Sequence, residues 1–506
     1  MKADQIKYGS ILSYCQMAIN IVVGLIYTPL MIRLLGQSEY GLYNTVASTI
    51  SMLSILNLGF GSSYIRYYAV YKSKKDNTSI FKLNGLFLVV FIIIGLIALI
   101  CGLFLTCHLD IVFAEGLSYE ELIIAKKLML LLTINLALSF PMSVFSSIVS
   151  ANERFVFLKL VGMCKTILNP IISIPLLFLG YGSLAIVFVT IAVSLLVDFA
   201  NIIYVFHILK QRFIIGSLDK GIFKNLFSYT AFIAISIIID QINWNIDKVL
   251  LGRFKGTTAV AVYSVGATLQ QYYQMFSNSI TGIFTPRIHL TINSELSLTE
   301  KNKYITELFI QIGRVQFLIL AFVCTEMIFF GNEFIYFWAG KEYGESYFVA
   351  LLLIIPVTIP LIQNLGIEIQ RAQNKHKFRS IIYSIMAVLN LLLSINLCKK
   401  YGPIGASIGT AISLLLANGL IMNIYYHKKC GINVLLFWKS IGSLSIGLIP
   451  LIIVGIILKS FLSFRKMGFL IGGICFYAFI YFVAMWTIGM NTTEKQFVKS
   501  LVRRKG

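Results

Sequence analysis

"GLFLVVFIIIGLIALICGLFL", residues Gly85 to Leu105, contains no charged and no amide side chain. A helix rises about 1.5 Å per residue, so roughly 20 apolar residues cross the hydrocarbon core of a bilayer. This run has that length, and similar runs recur along the whole chain. Of the 506 residues, 58% are hydrophobic and 12% charged, and the mean hydropathy is +0.84. Soluble domains carry about a quarter charged residues, and none could keep this much apolar surface from water. In lipid every backbone polar group must be bonded within its own segment, so apolar runs this long form helices and not barrel strands. The reading is an all-α polytopic membrane protein with about 14 transmembrane helices, the first near residues 11–32 and the last near 467–489.

No cleavable signal peptide is expected, because the first apolar run carries Pro29 and ends without a small-residue cleavage site. The eight cysteines are scattered without a C-x-x-C pair, which implies neither a disulfide framework nor a zinc site. "CHLD" (Cys107 to Asp110) places its ligating atoms too close in sequence for good metal geometry. No metal or cofactor is expected.

The loops fall into two alternating sets. One is short and poor in Lys and Arg, as in "RLLGQSE" and "KKYGP". The other is basic, as in "RYYAVYKSKKDNTSIFK" and the tail "KSLVRRKG". Counting alternate loops gives roughly 28 basic residues on one side and about ten on the other. This bias places the basic loops and both termini in the cytoplasm and makes the span number even. Most of the net charge of +21 is this bias, which attracts anionic headgroups. No nucleic-acid-binding module is present.

Four pairs of anchors recur at a nearly constant distance: Tyr43 and Tyr263, Arg66 and Arg287, Ala151 ("ANERFVFLK") and Ala372 ("AQNKHKFRS"), and Tyr181 and Tyr401, with Thr190 answering Thr410. By subtraction the offsets are 220, 221, 221 and 220. About six spans fit in one offset, so both copies enter the membrane in the same direction. Such copies are related by an axis along the bilayer normal. The expected organisation is a six-helix lobe at 1–210, a cytoplasmic linker at 211–225, a second six-helix lobe at 226–428, and two further spans with a basic tail at 429–506.

An ionic side chain at the centre of a lipid-facing span costs about 2.5–3.5 kcal/mol. Such residues are therefore expected on a wet cleft. In "DQINWNIDKVLLG" (Asp240 to Gly252), Asp240, Asn243 and Asp247 fall on one helical face with Lys248 beside them. That face is expected to line a cavity and to serve gating or ion coupling, the alternative being an acid–lysine pair that only packs helices. Lys165 has no acid within one turn and needs an anion from a partner span or a ligand. Arg314 is either an interfacial anchor or a substrate contact, and Arg66 and Arg287 are either anchors or a symmetric basic collar at the cavity mouth. Gln270 and Gln271, followed by Tyr272 and Tyr273, form an amide–aromatic surface of the kind that meets sugars. The candidate substrate-binding set is thus Lys165, Lys248, Arg314, Gln270, Gln271, Arg66 and Arg287. No catalytic residue is assigned.

"RLLGQSEYGLYNTVAS", "ANERFVFLK", "NKHKFRS" and above all "DQINWNIDKVLLGRFKGTTAVAVYSVG" resemble the Wzx-type flippases of polysaccharide biosynthesis. These share a superfamily with the MATE multidrug exporters and the muropeptide-precursor flippases. The resemblance covers about the whole chain. It implies two six-helix lobes in a V, a central basic cavity, and alternating access. The implied substrate is an undecaprenyl-diphosphate-linked oligosaccharide, moved from inner to outer leaflet of the bacterial cytoplasmic membrane. Na⁺ or H⁺ is the implied coupling ion, and a polymerase and chain-length proteins the implied pathway partners. The chain departs from the muropeptide branch, which places arginines deep in spans 1, 2 and 8. Here span 1 has only Gln16 and Asn20 at depth, and the centre of span 8 holds Gln270 and Gln271. A basic cavity would have to rest on Lys165, Lys248, Arg314 and the mouth arginines.

Two other classes compete. An ion-coupled drug exporter shares the fold and would use Asp240 for coupling, but such exporters usually have twelve spans. A membrane glycosyltransferase or polymerase needs paired carboxylates on a catalytic loop. The outer loops are short, and no P-loop, G-x-S-x-G or H-E-x-x-H motif occurs.

Overall fold

The computed structural model describes the backbone of residues 2–216, 220–292, 294–295, 297–373, 375–461, 464, 466–492 and 494–496. Within these, the side chains of residues 2–4, 6–7, 10, 220–233, 236, 279–280, 282–283, 285–287, 289 and 376 lie outside the description. Everything long in it is helical: α1 (Lys2–Leu53), α2 (Phe60–Ser73), α3 (Asn77–Cys107), α4 (Tyr119–Ala151), α5 (Phe155–Phe178), α6 (Gly182–Ile203), α7 (Lys220–Phe254), α8 (Thr257–Ile292), α9 (Leu298–Trp338), α10 (Ser346–Ile362), α11 (Leu365–Ala372), α12 (His376–Leu414), α13 (Asn423–Lys429), α14 (Val434–Ser445), α15 (Ile449–Phe461) and α16 (Met467–Ala484). Among the described residues, nine helical stretches are long and apolar enough to cross a membrane. The count is ten if α10 and α11, bent by 42°, form one broken span.

Two of those stretches are too long for one crossing. The stretch Ile11–Ser73 has 63 residues and would run roughly 95 Å if straight, three times the hydrocarbon thickness. It breaks at Gly36, where φ is 75° and ψ 171°, and again at the left-handed Leu58 and Gly59. Lys377–Lys429, with 53 residues, breaks at Gly402 (φ 57°, ψ −135°), just before Pro403. Both glycines hold backbone conformations that a Cβ would strain. The helices are tied off by side chains: Asp76 caps α3, and Ser118–Glu121 and Ser297–Glu300 form capping boxes on α4 and α9.

The chain parts into two compact units, residues 1–264 with 394–406, and residues 265–393 with 407–506. Unit one has an aromatic core, Phe60, Tyr64, Phe87 and Phe91 from α2 and α3 against Phe145 of α4. A second cluster packs Leu42, Val46 and Ile50 of α1 against Leu128 and Met129 of α4. In unit two, Phe329 and Phe330 of α9 pack on Leu451 of α15 and on Leu470, Tyr477 and Tyr481 of α16. The surface is apolar as well: Ile93, Leu96, Ile100 and Phe104 of α3 are all exposed, as lipid-facing side chains must be.

Several local features stand at the offset of about 220 residues read from the sequence. Positive-φ glycines stand at Gly36 and Gly256 and again at Gly182 and Gly402, each pair 220 residues apart by subtraction. In unit one the Asn169 amide donates to Thr190 Oγ1 at 3.2 Å. In unit two Thr410 Oγ1 donates to Asn390 Oδ1 at 3.4 Å. The same residue pair thus bridges neighbouring segments of the chain in both copies.

Candidate functional site

Unit one encloses a cavity of about 390 Å³ between α1, α4 and α7. The apolar part of the wall comes from Ala47, Ile50, Leu132 and Leu136. The polar part is Ser51 of α1 and Ser54 just past its end, Asn135 and Ser139 of α4, and Gln241 and Asn245 of α7. Among the described residues no charged side chain lines it. The wall is internally bonded: Gln241 Nε2 donates to Ser54 Oγ at 3.0 Å, and Asn245 Nδ2 donates to Gln241 Oε1 at 2.6 Å.

The stripe of α7 that reaches this cavity is not the one expected. Gln241 and Asn245 line it, not Asp240, Asn243 and Asp247. Asp247 turns to the other side of the helix and is 1% exposed, where its Oδ2 accepts from Tyr263 Oη of α8 at 2.8 Å. A carboxylate so bonded binds α7 to α8 and is withdrawn from the cavity. Asp240 is exposed and Asn243 half-buried. Lys248 belongs with Gln241 and Asn245, since positions 241, 245 and 248 share one helical face. It is half-buried, and among the described residues no hydrogen bond or ion pair reaches its ammonium.

The other expected residues are dispersed. Lys165 on α5 is half-buried, and its charge acts on Asp198 of the neighbouring α6. Arg314 of α9 is 4% exposed and wholly engaged. Its Nε and one terminal nitrogen donate to Glu494 at 2.6 and 3.0 Å. The other terminal nitrogen donates to the Ser440 carbonyl at 2.6 Å and to Ser443 Oγ at 3.2 Å, and a further bond reaches the Gly489 carbonyl at 3.2 Å. With its donors engaged by α14 and the C-terminal segment, Arg314 ties together the packing of unit two, in keeping with the anchor alternative of its two expected roles. Gln270 is buried, and among the described residues its amide nitrogen meets no acceptor. Gln271 is exposed, because consecutive residues point about 100° apart on a helix. Arg66 is exposed on α2, and the side chain of Arg287 lies outside the described residues.

Sequence reasoning passed over the cavity-lining amides although Gln241 and Asn245 stand inside the stretch it singled out. The signal was there, as an amide pair at i and i+4, but charges drew the reading to the opposite face. It also passed over a closure at the Lys/Arg-poor end of unit one. There Glu121 Oε1 accepts from Ser38 and Thr257, and Glu39 caps the start of α6 through Ser183.

Residues 7–289, more than half of the chain, match the family described as polysaccharide biosynthesis protein. The chain belongs to that family. A Shigella flexneri protein named for O-antigen transport is 23% identical over 415 residues, 79% of this chain and 92% of its own. The capsular polysaccharide biosynthesis protein CapF of Staphylococcus aureus is 26% identical over 280 residues, 54% of this chain and 68% of its own. Among solved structures, the lipid II flippase MurJ in an inward closed conformation superposes with a TM-score of 0.67 at 18% identity, covering 98% of this chain and 99% of that one. An inward-facing MATE multidrug transporter of the MOP superfamily gives a TM-score of 0.62 at 14% identity, covering 85% and 99%. This member of the polysaccharide biosynthesis family is thus a multi-pass membrane protein with the all-α fold of the MOP superfamily.

Proposed function

We propose that this chain is a flippase. It carries an undecaprenyl-diphosphate-linked oligosaccharide from the inner to the outer leaflet by alternating access, for O-antigen, capsule or exopolysaccharide assembly. It resides in the bacterial cytoplasmic membrane with both termini in the cytoplasm, and it uses no chemistry of its own. The observation that supports this reading is a cavity walled in part by serine and amide side chains, in a member of a polysaccharide biosynthesis family. A glycan with a diphosphate cannot cross about 30 Å of hydrocarbon unaided. Its lipid tail can remain in the bilayer while the head passes through a polar groove. Lys248 and Lys165 are the intramembrane cations suited to the diphosphate, and lysine, a compact point charge, releases its anion more readily than the bidentate arginine fork. Gln270, Gln271, Arg66 and Arg287 remain candidates along the path, and Asp240, Asn243 and Asp247 candidates for gating or for Na⁺ or H⁺ coupling. Pathway partners would be a polymerase and chain-length proteins.

Reconstitution into liposomes tests the reading. Radiolabelled lipid-linked oligosaccharide should exchange between leaflets only where the protein is present, and a cationic dye should not accumulate. Dye transport without lipid exchange overturns it in favour of an ion-coupled exporter.

A further inference from the structure

We infer that the cavity between α1, α4 and α7 is a subsite for a neutral, hydroxyl-rich part of the glycan and rejects its acidic and phosphorylated parts. This rests on the flippase reading and names the chemistry of that same site. Ser51 Oγ donates to the Ala47 carbonyl at 2.8 Å, Ser54 Oγ to the Ser51 carbonyl at 2.6 Å, and Ser139 Oγ to the Leu136 carbonyl at 2.7 Å. A carbonyl only accepts, so each hydroxyl proton is committed to the backbone and only lone pairs remain for the cavity.

That commitment fixes the amides too. Ser54, its proton spent, can only accept from Gln241. Gln241 must therefore turn its NH₂ toward Ser54 and its carbonyl toward Asn245, which must donate. An amide orientation that is ordinarily a matter of assignment is dictated here by the hydroxyls. Asn245 Oδ1 is left as an acceptor. Asn135, half-buried on the same wall, meets no hydrogen-bonding partner among the described residues and offers its whole amide.

Among the described residues the wall offers hydroxyl and amide lone pairs, the remaining N–H groups of Asn135, Gln241 and Asn245 as neutral donors, and no cation. A phosphate or carboxylate would set lone pairs against those of the serines, and the neutral amide donors supply no charge to offset its desolvation. A sugar ring brings a donor on nearly every carbon and C–H faces for the aliphatic part of the wall. A volume of about 390 Å³ lies at the lower end of small-ligand sites, roughly 300–1,000 Å³. It suits part of a repeat unit and not the whole. The diphosphate is left to Lys248, about one turn beyond Asn245 on the same face.

The test uses the full chain in nanodiscs and native mass spectrometry to read dissociation constants. Three probes are compared: undecaprenyl diphosphate alone, the same lipid bearing a neutral hexose trisaccharide, and the same lipid bearing a trisaccharide with one hexuronate. The neutral glycan should tighten binding over the bare lipid by about tenfold, and the hexuronate form should show little of that gain. Asn135→Leu and Ser139→Ala should each reduce the gain to a few-fold or less while leaving bare-lipid affinity unchanged, which also reports that the variants are folded. A neutral glycan that gives no gain, equal gains for the two glycans, or a gain that survives both substitutions overturns the subsite and leaves the flippase reading standing. Failure of the bare lipid and of both glycosylated forms to bind removes that reading and the subsite with it.

Discussion

Arg314 carries the largest single-residue consequence. Its side chain is 5% exposed and that of Glu494 8%, so removing either partner strands a charge in packing. Breaking a buried pair costs about 3–5 kcal/mol, whereas replacing both members by apolar groups is often nearly neutral. Arg314→Met and Glu494→Leu should each lower the melting temperature in detergent strongly, and the double substitution should recover much of the loss. Equal, additive losses would mean that the two side chains do not act as a pair. At this scale the sequence identified Arg314 as an intramembrane charge but not its role. Glu494 lies 180 positions later, and no periodicity links the two.

At the scale of the element, close approach decides which helices meet. A Cβ built on Gly41 would stand 1.9 Å from the Thr257 carbonyl oxygen. Backbone cannot yield as a flexible side chain can, and overpacking typically costs about 1–3 kcal/mol. Gly41→Ala should therefore separate α1 from the start of α8 and reduce the yield of monodisperse protein on size exclusion, while Gly442→Ala, whose Cβ meets nothing within 4 Å, should not. The cap of α3 adds a pH dependence outside the membrane. Asp76 accepts from Ser79 Oγ at 2.6 Å and from the Ser79 amide at 3.0 Å, and these bonds hold its carboxyl below the usual aspartate range. A depressed carboxyl stabilises the fold above its unfolded value, about 3.9, and loses that contribution as pH falls through the folded value. Asp76→Ala should melt lower than the parent at pH 7, and the gap should close in scans below about pH 4. Element boundaries were partly legible: the break at Gly402 precedes a visible Pro403, whereas the one at Gly36 shows only as a glycine among helix formers.

Across the whole molecule, the alternation of basic and Lys/Arg-poor loops makes a topological prediction. A reporter fused after residue 506 or inserted at 210–216 should report the cytoplasm, and one inserted at 341–345 the far side. Either result reversed would invert the transport direction proposed above. Helical class, membrane residence and duplication were all open to a reader of the chain alone. They follow from hydropathy, from the need to bond every amide in lipid, and from glycines, asparagines and threonines returning about 220 positions apart. The polar site was not open in the same way. Every amphipathic reading of "DQINWNIDKVLLG" offers two faces, and charge made the Asp240–Asp247 face the conspicuous one. Which face met Tyr263 and which met the serines at the end of α1 was settled only when α1, α4 and α7 packed. A helix carries its pattern in one dimension, while a cavity is made by neighbours that the pattern does not name.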